Sequence, residues 1–489
     1  MQVQTPDWVK HAVFYQIFPD RFAKRDDSPG QVSTNPNQFE PWSAPPTPQG
    51  YKGGNLWGVI DQLDYLQDLG ITAIYLTPIF QSACNHRYHT HDYYQIDPIL
   101  GGNDAFAALL DRAHEREIKV VIDGVFNHAS RGFYFFNDIL ENGPYSPWLD
   151  WFRIEKWPLS AYDGNLPANY VSWVGNRALP QFNHDNPNVR EYIMQVGEHW
   201  IRQGIDGWRL DVPFEVKTPG FWVEFRDRIK ALNPEAYIVG EVWKDAGPWL
   251  DGTQFDAVMN YEFTGPTIAY AAGDRVVREL VEFHDYDPYP ALNAEEYGQK
   301  IQELLNLYPW EIQLAQLNLL DSHDTPRMVT LASEDIPSFK LAALLKMTFP
   351  GAPCIYYGDE VGLNGGHDPD CRKTFPDSQQ WNQDVYKMYR QLIALRHQYR
   401  ALRTGHYEIL LAQDSLYAFV RNLPGADDAI VAVNAGDEPE QLNLETLSPT
   451  AKGLELKYGD ASTAESLRSD GTLISFELPP RSGCILASR

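Results

Sequence analysis

Three carboxylates stand where an apolar run gives way to polar residues. Asp211 closes Gly207-Trp208-Arg209-Leu210-Asp211, Glu241 lies in Gly240-Glu241-Val242-Trp243, and Asp324 closes Leu320-Asp321-Ser322-His323-Asp324. A fourth segment of the same texture, Asp123-Gly124-Val125-Phe126-Asn127-His128, supplies an acid and a histidine. Two or three carboxyl groups converging on one cleft are what hydrolysis of a glycosidic bond requires. A lone aspartate is more often a cap or a surface residue. What sets these apart is one pattern met four times.

Apolar runs of this length, bounded by turn signals, read as buried parallel strands. A parallel barrel carries its chemistry at the C-terminal ends of such strands. Strands are expected over 13–18, 71–77, 118–122, 205–210, 236–239, 255–259, 315–320 and 353–357. Helical periods separate them, as over 55–69, where Leu56, Ile60, Leu63, Leu66 and Leu69 share one side, and over 105–117. This alternation predicts a closed (β/α)8 barrel. An open doubly wound sheet is the alternative, but the Gly-rich phosphate loop it usually carries early is not found.

Roughly sixty residues after His128 lack periodicity and are rich in Trp, Pro, Asn, Gly and Tyr. A loop that long is functional or forms a small subdomain, here expected to wall one side of the cleft. A second insertion, over 274–308, carries His284-Asp285-Tyr286-Asp287-Pro288-Tyr289-Pro290, whose rings could be core or sugar platforms. Past a helix expected at 386–399, short strands at 407–411, 416–421, 429–434 and 473–478 predict a C-terminal antiparallel β-sandwich. The expected division is a barrel over 1–128 and 186–400, an inserted subdomain over 129–185 and a sandwich over 401–489.

A formal charge of −26 argues against nucleic acid and against an anionic membrane surface, since both need a basic stripe. No apolar run is long enough to span a bilayer. With 13% aromatic residues, including 14 Trp, an acidic chain without a basic patch suits a neutral sugar, whose faces pack on rings. Cys84, Cys354, Cys371 and Cys484 make no CxxC and no zinc spacing. The start, Met1-Gln2-Val3-Gln4-Thr5-Pro6-Asp7, is not a secretory signal, so a cytoplasmic protein with free thiols is expected.

With these motifs in hand, the chain resembles glycoside hydrolase family 13, the α-amylase family, over nearly its whole length. The four segments match that family's conserved regions in order. Tyr15-Gln16-Ile17-Phe18-Pro19-Asp20-Arg21-Phe22 and Pro353-Cys354-Ile355-Tyr356-Tyr357-Gly358-Asp359-Glu360 match the ends of its barrel. Asn85-His86-Arg87-Tyr88-His89-Thr90-His91-Asp92-Tyr93, Leu179-Pro180-Gln181-Phe182-Asn183 and Glu215 are similar to the neopullulanase and cyclomaltodextrinase branch. His89 departs from it by replacing an aspartate, and Phe214 stands where the branch often has asparagine. Because the first strand is expected by Val13, the branch's N-terminal domain is not expected. That likens the chain to cyanobacterial neopullulanase-like debranching enzymes and implies a monomer or an unusual dimer.

The resemblance implies Asp211 as nucleophile, Glu241 as general acid and then base, and Asp324 as the acid that holds sugar hydroxyls and distorts the ring. Two carboxyl groups about 5–5.5 Å apart would retain anomeric configuration. Arg209, two residues before Asp211 on a strand, faces the same way and can keep the nucleophile ionised. His128 and His323 would donate to sugar hydroxyls, Tyr88 would stack on the same sugar, and Trp243 and Phe214 would shape the leaving side. Asp370 and Arg372 would line the far end. Asp123 is expected to be architectural, beside Arg209. Asn127 matches a calcium ligand of some relatives, but the Asn/Asp-rich loop other relatives carry is not evident over 23–37. No metal or other cofactor is therefore expected to be essential. The implied activity is a retaining α-glucan hydrolase that cuts α-1,4 and α-1,6 bonds in maltooligosaccharides and related glucans, with a 4-α-glucanotransferase as the alternative. A catalytically dead glucan-binding protein would have lost a central acid, and none is lost.

Overall fold

The structure is a computed structural model, described here for residues 3–26, 39–282, 284–445, 454–469 and 473–488. Most of the 23–37 segment, where a calcium loop was sought, lies outside those residues.

Eight parallel strands form one sheet. In chain order they are β1 (Phe14–Ile17), β2 (Ala73–Leu76), β5 (Lys119–Gly124), β6 (Gly207–Leu210), β7 (Tyr237–Gly240), β8 (Ala257–Val258), β9 (Leu317–Asn318) and β10 (Ala352–Tyr356). A hairpin of β3 (Phe80–Ser82) and β4 (Thr90–Ile96) leaves the barrel after β2. The spatial order β8-β7-β6-β5-β2-β1-β10-β9 leaves β8 and β9 at the two ends. A parallel bridge between Met259 and Leu317, with the Asn260 N–H donating to Leu317 O at 2.9 Å, joins those ends. The sheet is thus a barrel, as the alternation of elements predicts.

β8 and β9 are shorter than their apolar runs because side chains replace the ladder there. The Val258 N–H donates to Gln316 Oε1 at 2.9 Å, and Asn260 Nδ2 donates to Asn318 Oδ1 at 2.8 Å. The helix expected over 55–69 is two helices, Leu56–Asp61 and Leu63–Leu69. Asn55 caps the first by accepting the Gly58 N–H, and Gly70 ends the second in the left-handed region at φ 95°. The insertion over 274–308 contains the helix Ala294–Leu307, set by a reciprocal Asn293/Glu296 capping box.

The segment over 129–185 has the helix Tyr134–Asn142 and only isolated bridges, such as Phe152–Phe182 and Ser172–Pro180. Rings hold it together; Phe135 stacks on Trp148 at 4.1 Å.

After residue 400 two antiparallel sheets face each other. One has the order β11 (His406–Gln413), β12 (Leu416–Asn422), β13 (Asp428–Asn434), β18 (Ser482–Ala487), β15 (Glu455–Tyr458). The other is β14 (Glu440–Glu445), β17 (Leu473–Leu478), β16 (Arg468–Ser469). Leu442, Leu444, Ile474, Phe476 and Leu486 fill the space between them. β14, β15, β16 and β18 escaped the sequence reading. β14 alternates too weakly among polar residues, and β18 is interrupted by Gly483, where a Cβ would meet Leu344 Cδ2 at 2.5 Å.

Two buried arginines join sandwich to barrel. Arg421 of β12 donates to Thr348 O at 2.6 Å, Leu402 O at 3.0 Å and Gly405 O at 2.9 Å. Arg396 donates to Met347 O at 3.1 Å and Leu402 O at 2.8 Å. Thr348 and Met347 end the helix Ile336–Thr348, so both guanidiniums take carbonyls that helix leaves unpaired. Replacing Arg421 by Ala would strand several buried carbonyls. Urea unfolding should show a loss of about 3 kcal/mol; a change under about 0.5 kcal/mol would contradict this role for the contact.

Candidate active site

Barrel register brings the site together. Arg209 on β6 lies beside Asp123 on β5 and Val239 on β7, and Leu210 lies beside Gly240. The ladder runs one residue further. The Asp211 N–H donates to Gly124 O at 3.1 Å, and the Glu241 N–H donates to Leu210 O at 2.9 Å. Asp211 and Glu241 therefore emerge side by side where β6 and β7 end.

Arg209, fully buried, is the hub. Its Nη1 donates to both oxygens of Asp123 (3.1 and 3.0 Å) and to Asp211 Oδ1 (3.1 Å). Its Nη2 meets Glu241 Oε2 at 3.1 Å, out of line for a hydrogen bond. Glu241 is fixed by two other donors, the Val212 N–H to Oε2 at 3.2 Å and the Trp243 indole to Oε1 at 3.1 Å. Val212 aims that N–H from the left-handed region (φ 35°), an unusual position for a β-branched residue and a local strain at the site. Trp243 is held in turn by stacking on Tyr261 at 3.9 Å.

Asp324 lies across the cavity. Its Oδ2 is 3.1 Å from His323 Nε2 and its Oδ1 is 3.4 Å from Arg372 Nη2. Gln16 Nε2 donates to His323 Nδ1 at 2.8 Å, which puts the proton of the neutral ring on Nε2. Tyr88 donates to Asp123 Oδ2 at 3.0 Å, and its hydroxyl also touches His323 Nε2. Asp211, Glu241, Asp324, Tyr88 and Arg372 line a cavity of about 580 Å³ that also takes in His86, His89, Trp173, Asn176, Leu179, Phe214, His284 and Asp285.

Residues 16–382 match the alpha-amylase catalytic domain. The chain belongs to the alpha-amylase family. It is 41% identical over 481 residues to a cyclomaltodextrinase of Geobacillus thermopakistaniensis, covering 98% of this chain and 77% of that protein. It is 41% identical over 488 residues to neopullulanase 2 of Thermoactinomyces vulgaris, covering 99% and 78%. The crystal structure of a debranching enzyme from Nostoc punctiforme superposes with a TM-score of 0.92 at 63% identity over 100% of both chains. The resemblance read from the motifs is thus that of an alpha-amylase-family hydrolase whose relatives bear neopullulanase, cyclomaltodextrinase and debranching names.

Within this family member, burial sets most of the site's titration. Burial, and then the charge of Glu241, push the Asp211 carboxyl well above the usual carboxylate range, while Arg209 pulls the other way. Burial raises Asp123 to about 6 against the pull of Arg209. Burial, then Arg372, holds His323 well below the usual imidazole range, and burial, then His89, lowers His128 to about 3. Both rings are neutral at working pH. His128 stacks on Trp173 at 5.3 Å and has a buried Nε2 with no partner among the described residues, free for a sugar hydroxyl.

Of the residues singled out in the sequence, Asp211, Glu241, Asp324, Tyr88, His128, Trp243, Phe214 and Arg372 line the cavity. Arg209 and His323 support it from behind. Asp370 does not line it. Its Oδ2 accepts the Gly366 N–H at 2.8 Å and pairs with Lys373 Nζ at 3.2 Å, which ties it into its own loop. Asp368, paired with Arg372 Nη1 at 3.0 Å, takes the wall position instead. Sequence reasoning missed Trp173 and Asn176, which sit in the insertion without periodicity, and left His284 and Asp285 in a stretch read as either core or sugar platform. It also passed over Gln16, though that residue lay inside a quoted motif.

His128 yields a pH prediction. Its folded pKa is depressed, so the unfolded chain binds the extra proton between the ordinary 6.5 and about 3. Stability from this group is present above pH 6.5 and is lost as pH falls through that window. Going from pH 7 to pH 5 should cost the wild type about 2 kcal/mol more than His128→Asn. Parallel pH profiles of urea unfolding for the two proteins would rule this out.

Proposed function

We propose that this enzyme is a retaining α-glucan hydrolase that cleaves α-1,4 and α-1,6 glucosidic bonds in maltooligosaccharides and related glucans through a covalent glycosyl-enzyme. The observation that carries the reading is the placement of Asp211 and Glu241 on one guanidinium at the floor of a cleft, with Asp324 opposite. The names of the relatives, for cyclodextrins, pullulan and debranching, support the substrate class.

Three carboxylates around one cation leave excess negative charge, so the cluster retains a proton. Of the two acids at the strand ends, Asp211 has an aligned Arg209 hydrogen bond and Glu241 does not, which favours Asp211 as the anion of that pair. Glu241 serves as the general acid, and Arg209 opposes the burial that pushes Asp211 up. Asp211 then attacks the anomeric carbon as the C–O bond breaks, and the leaving oxygen takes the Glu241 proton. In the second step the Glu241 carboxylate takes a proton from water. The resulting hydroxide displaces Asp211 from the same face as the departed sugar. Two inversions give net retention.

Around the reacting sugar, the roles follow from the partners. His128 Nε2 meets a sugar hydroxyl, Asp324 accepts from hydroxyls while His323 Nε2–H steadies it from behind, and Tyr88 stacks on the ring. Trp243 and Phe214 shape the leaving side. No essential calcium is part of the proposal, since Asn127 Oδ1 already accepts from Gln181 Nε2 at 2.7 Å. A reducing cytoplasm suits the four unpaired thiols. Among the described residues no helix is long and apolar enough to cross a membrane.

Asp211→Asn should lower turnover of maltoheptaose by at least about 10³-fold with binding retained, and near-wild-type rates would sink the nucleophile assignment. A time-resolved product profile on maltoheptaose, pullulan, β-cyclodextrin and a branched maltooligosaccharide should give only products shorter than the substrate, first released as α-anomers by NMR. Early products longer than the substrate would make the enzyme mainly a glucanotransferase, and β-anomers would overturn retention.

A further inference from the structure

The turn between β3 and β4 carries three residues whose chemistry the reaction does not use: Cys84, His86 and His89. His89 is the departure noted in the sequence, an imidazole where the related branch has an aspartate. One ligand atom from each of the three lies within 4.8 Å of the others, and all three residues are half-buried. That exposure admits an ion and still encloses it.

Cys84 Sγ and His86 Nδ1 are 3.5 Å apart. A zinc ion with Zn–S of about 2.3 Å and Zn–N of about 2.0 Å at the tetrahedral angle places sulfur and nitrogen about 3.5 Å apart. That edge of a coordination tetrahedron is already formed. The His86 and His89 rings stand nearly perpendicular, at 80°, with centroids 5.2 Å apart, and rotation of His89 closes the third corner. The turn is knit beneath them, because Ser82 Oγ donates to His89 O at 2.8 Å and accepts the Cys84 N–H at 3.4 Å. Burial lowers both imidazoles, so each is neutral and able to ligate. The cation that acts most on His86, Arg372, is itself paired with Asp324 and Asp368.

We propose that Cys84, His86 and His89 form a binding site for a soft divalent cation of the zinc class, open to solvent at its fourth position, and that its occupancy closes the sugar cleft. Thiolate with two imidazoles is a donor set that selects such ions over calcium or magnesium. When the metal–sulfur bond forms, the thiol proton leaves to solvent and no atom changes oxidation state. The link to the cleft is direct. His86 and His89 line the cavity, and His86 Nδ1 accepts the Tyr88 N–H at 3.3 Å. A metal on Nδ1 takes away that acceptor, shifts the sugar-stacking tyrosine and puts a hydrated divalent charge on the wall. The effect on turnover rests on the proposed reading of the cleft, whereas metal binding does not.

The test uses the whole enzyme and Cys84→Ala, a residue outside the cleft lining. Cobalt(II) should give a thiolate charge-transfer band in the near ultraviolet, and equilibrium dialysis should give one zinc per chain. Both should be lost in Cys84→Ala, whose unchanged melting temperature certifies its fold. Saturating zinc should slow wild-type hydrolysis of maltoheptaose at least tenfold and leave Cys84→Ala unaffected. Equal zinc uptake by the two proteins, or cobalt bound without the band, overturns the site. Zinc that binds at Cys84 without slowing hydrolysis overturns the closing of the cleft.

Discussion

One guanidinium holds the catalytic floor together. Arg209 has no exposed surface, and it touches Asp123, Asp211 and Glu241, which come from three neighbouring strands. A buried cation is tolerable only when paired, and buried carboxylates are tolerable only when something balances them. Each of the four groups therefore depends on the other three. Arginine suits the position because its planar fork presents several donors at once, which a lysine ammonium on a flexible stem does not. The hub also constrains the barrel. A shift in the register of β5, β6 or β7 would part Arg209 from Asp123 or Glu241 from Asp211.

The walls follow a different rule. The ligand class is neutral, so recognition rests on rings and on hydrogen-bonding groups that stay uncharged. Burial supplies those by holding His128 and His323 in their neutral forms. Asp324 keeps its place through His323 and Arg372, and Tyr88 joins it to the floor by reaching both His323 and Asp123. A formal charge of −26 is no obstacle to such a ligand, though it would repel an anionic one.

Legibility in the sequence tracked how local the determining physics is. Fully buried strands write themselves as apolar runs, so all eight barrel strands could be anticipated, along with the acids at their ends. Where side chains such as Gln316 and Asn318 stand in for the ladder, the strands are shorter than the apolar runs, because hydrogen bonding to a distant residue leaves no periodic trace. The insertions contribute Trp173 and His284 through loops shaped by packing rather than by repeats. Asp370 and Asp368 could not be told apart by spacing, since each sits in the same short turn and only the partners, Gly366 and Lys373 against Arg372, decide which faces the cavity. The sandwich edges β14, β15 and β16 were missed for a related reason, as short and largely polar strands carry little pattern, and the interior β18 because Gly483 shortens its apolar run.

The central claim is that Asp211, balanced by Arg209, forms a bond to sugar carbon. It is tested most directly by trapping that bond. Incubation with 5-fluoro-α-maltosyl fluoride, whose ring fluorine slows breakdown of a glycosyl-enzyme, followed by proteolysis and mass spectrometry, should find the sugar as an ester on Asp211. A sugar attached to any other residue, or steady turnover of the reagent with no adduct and an inverted product, would contradict the account.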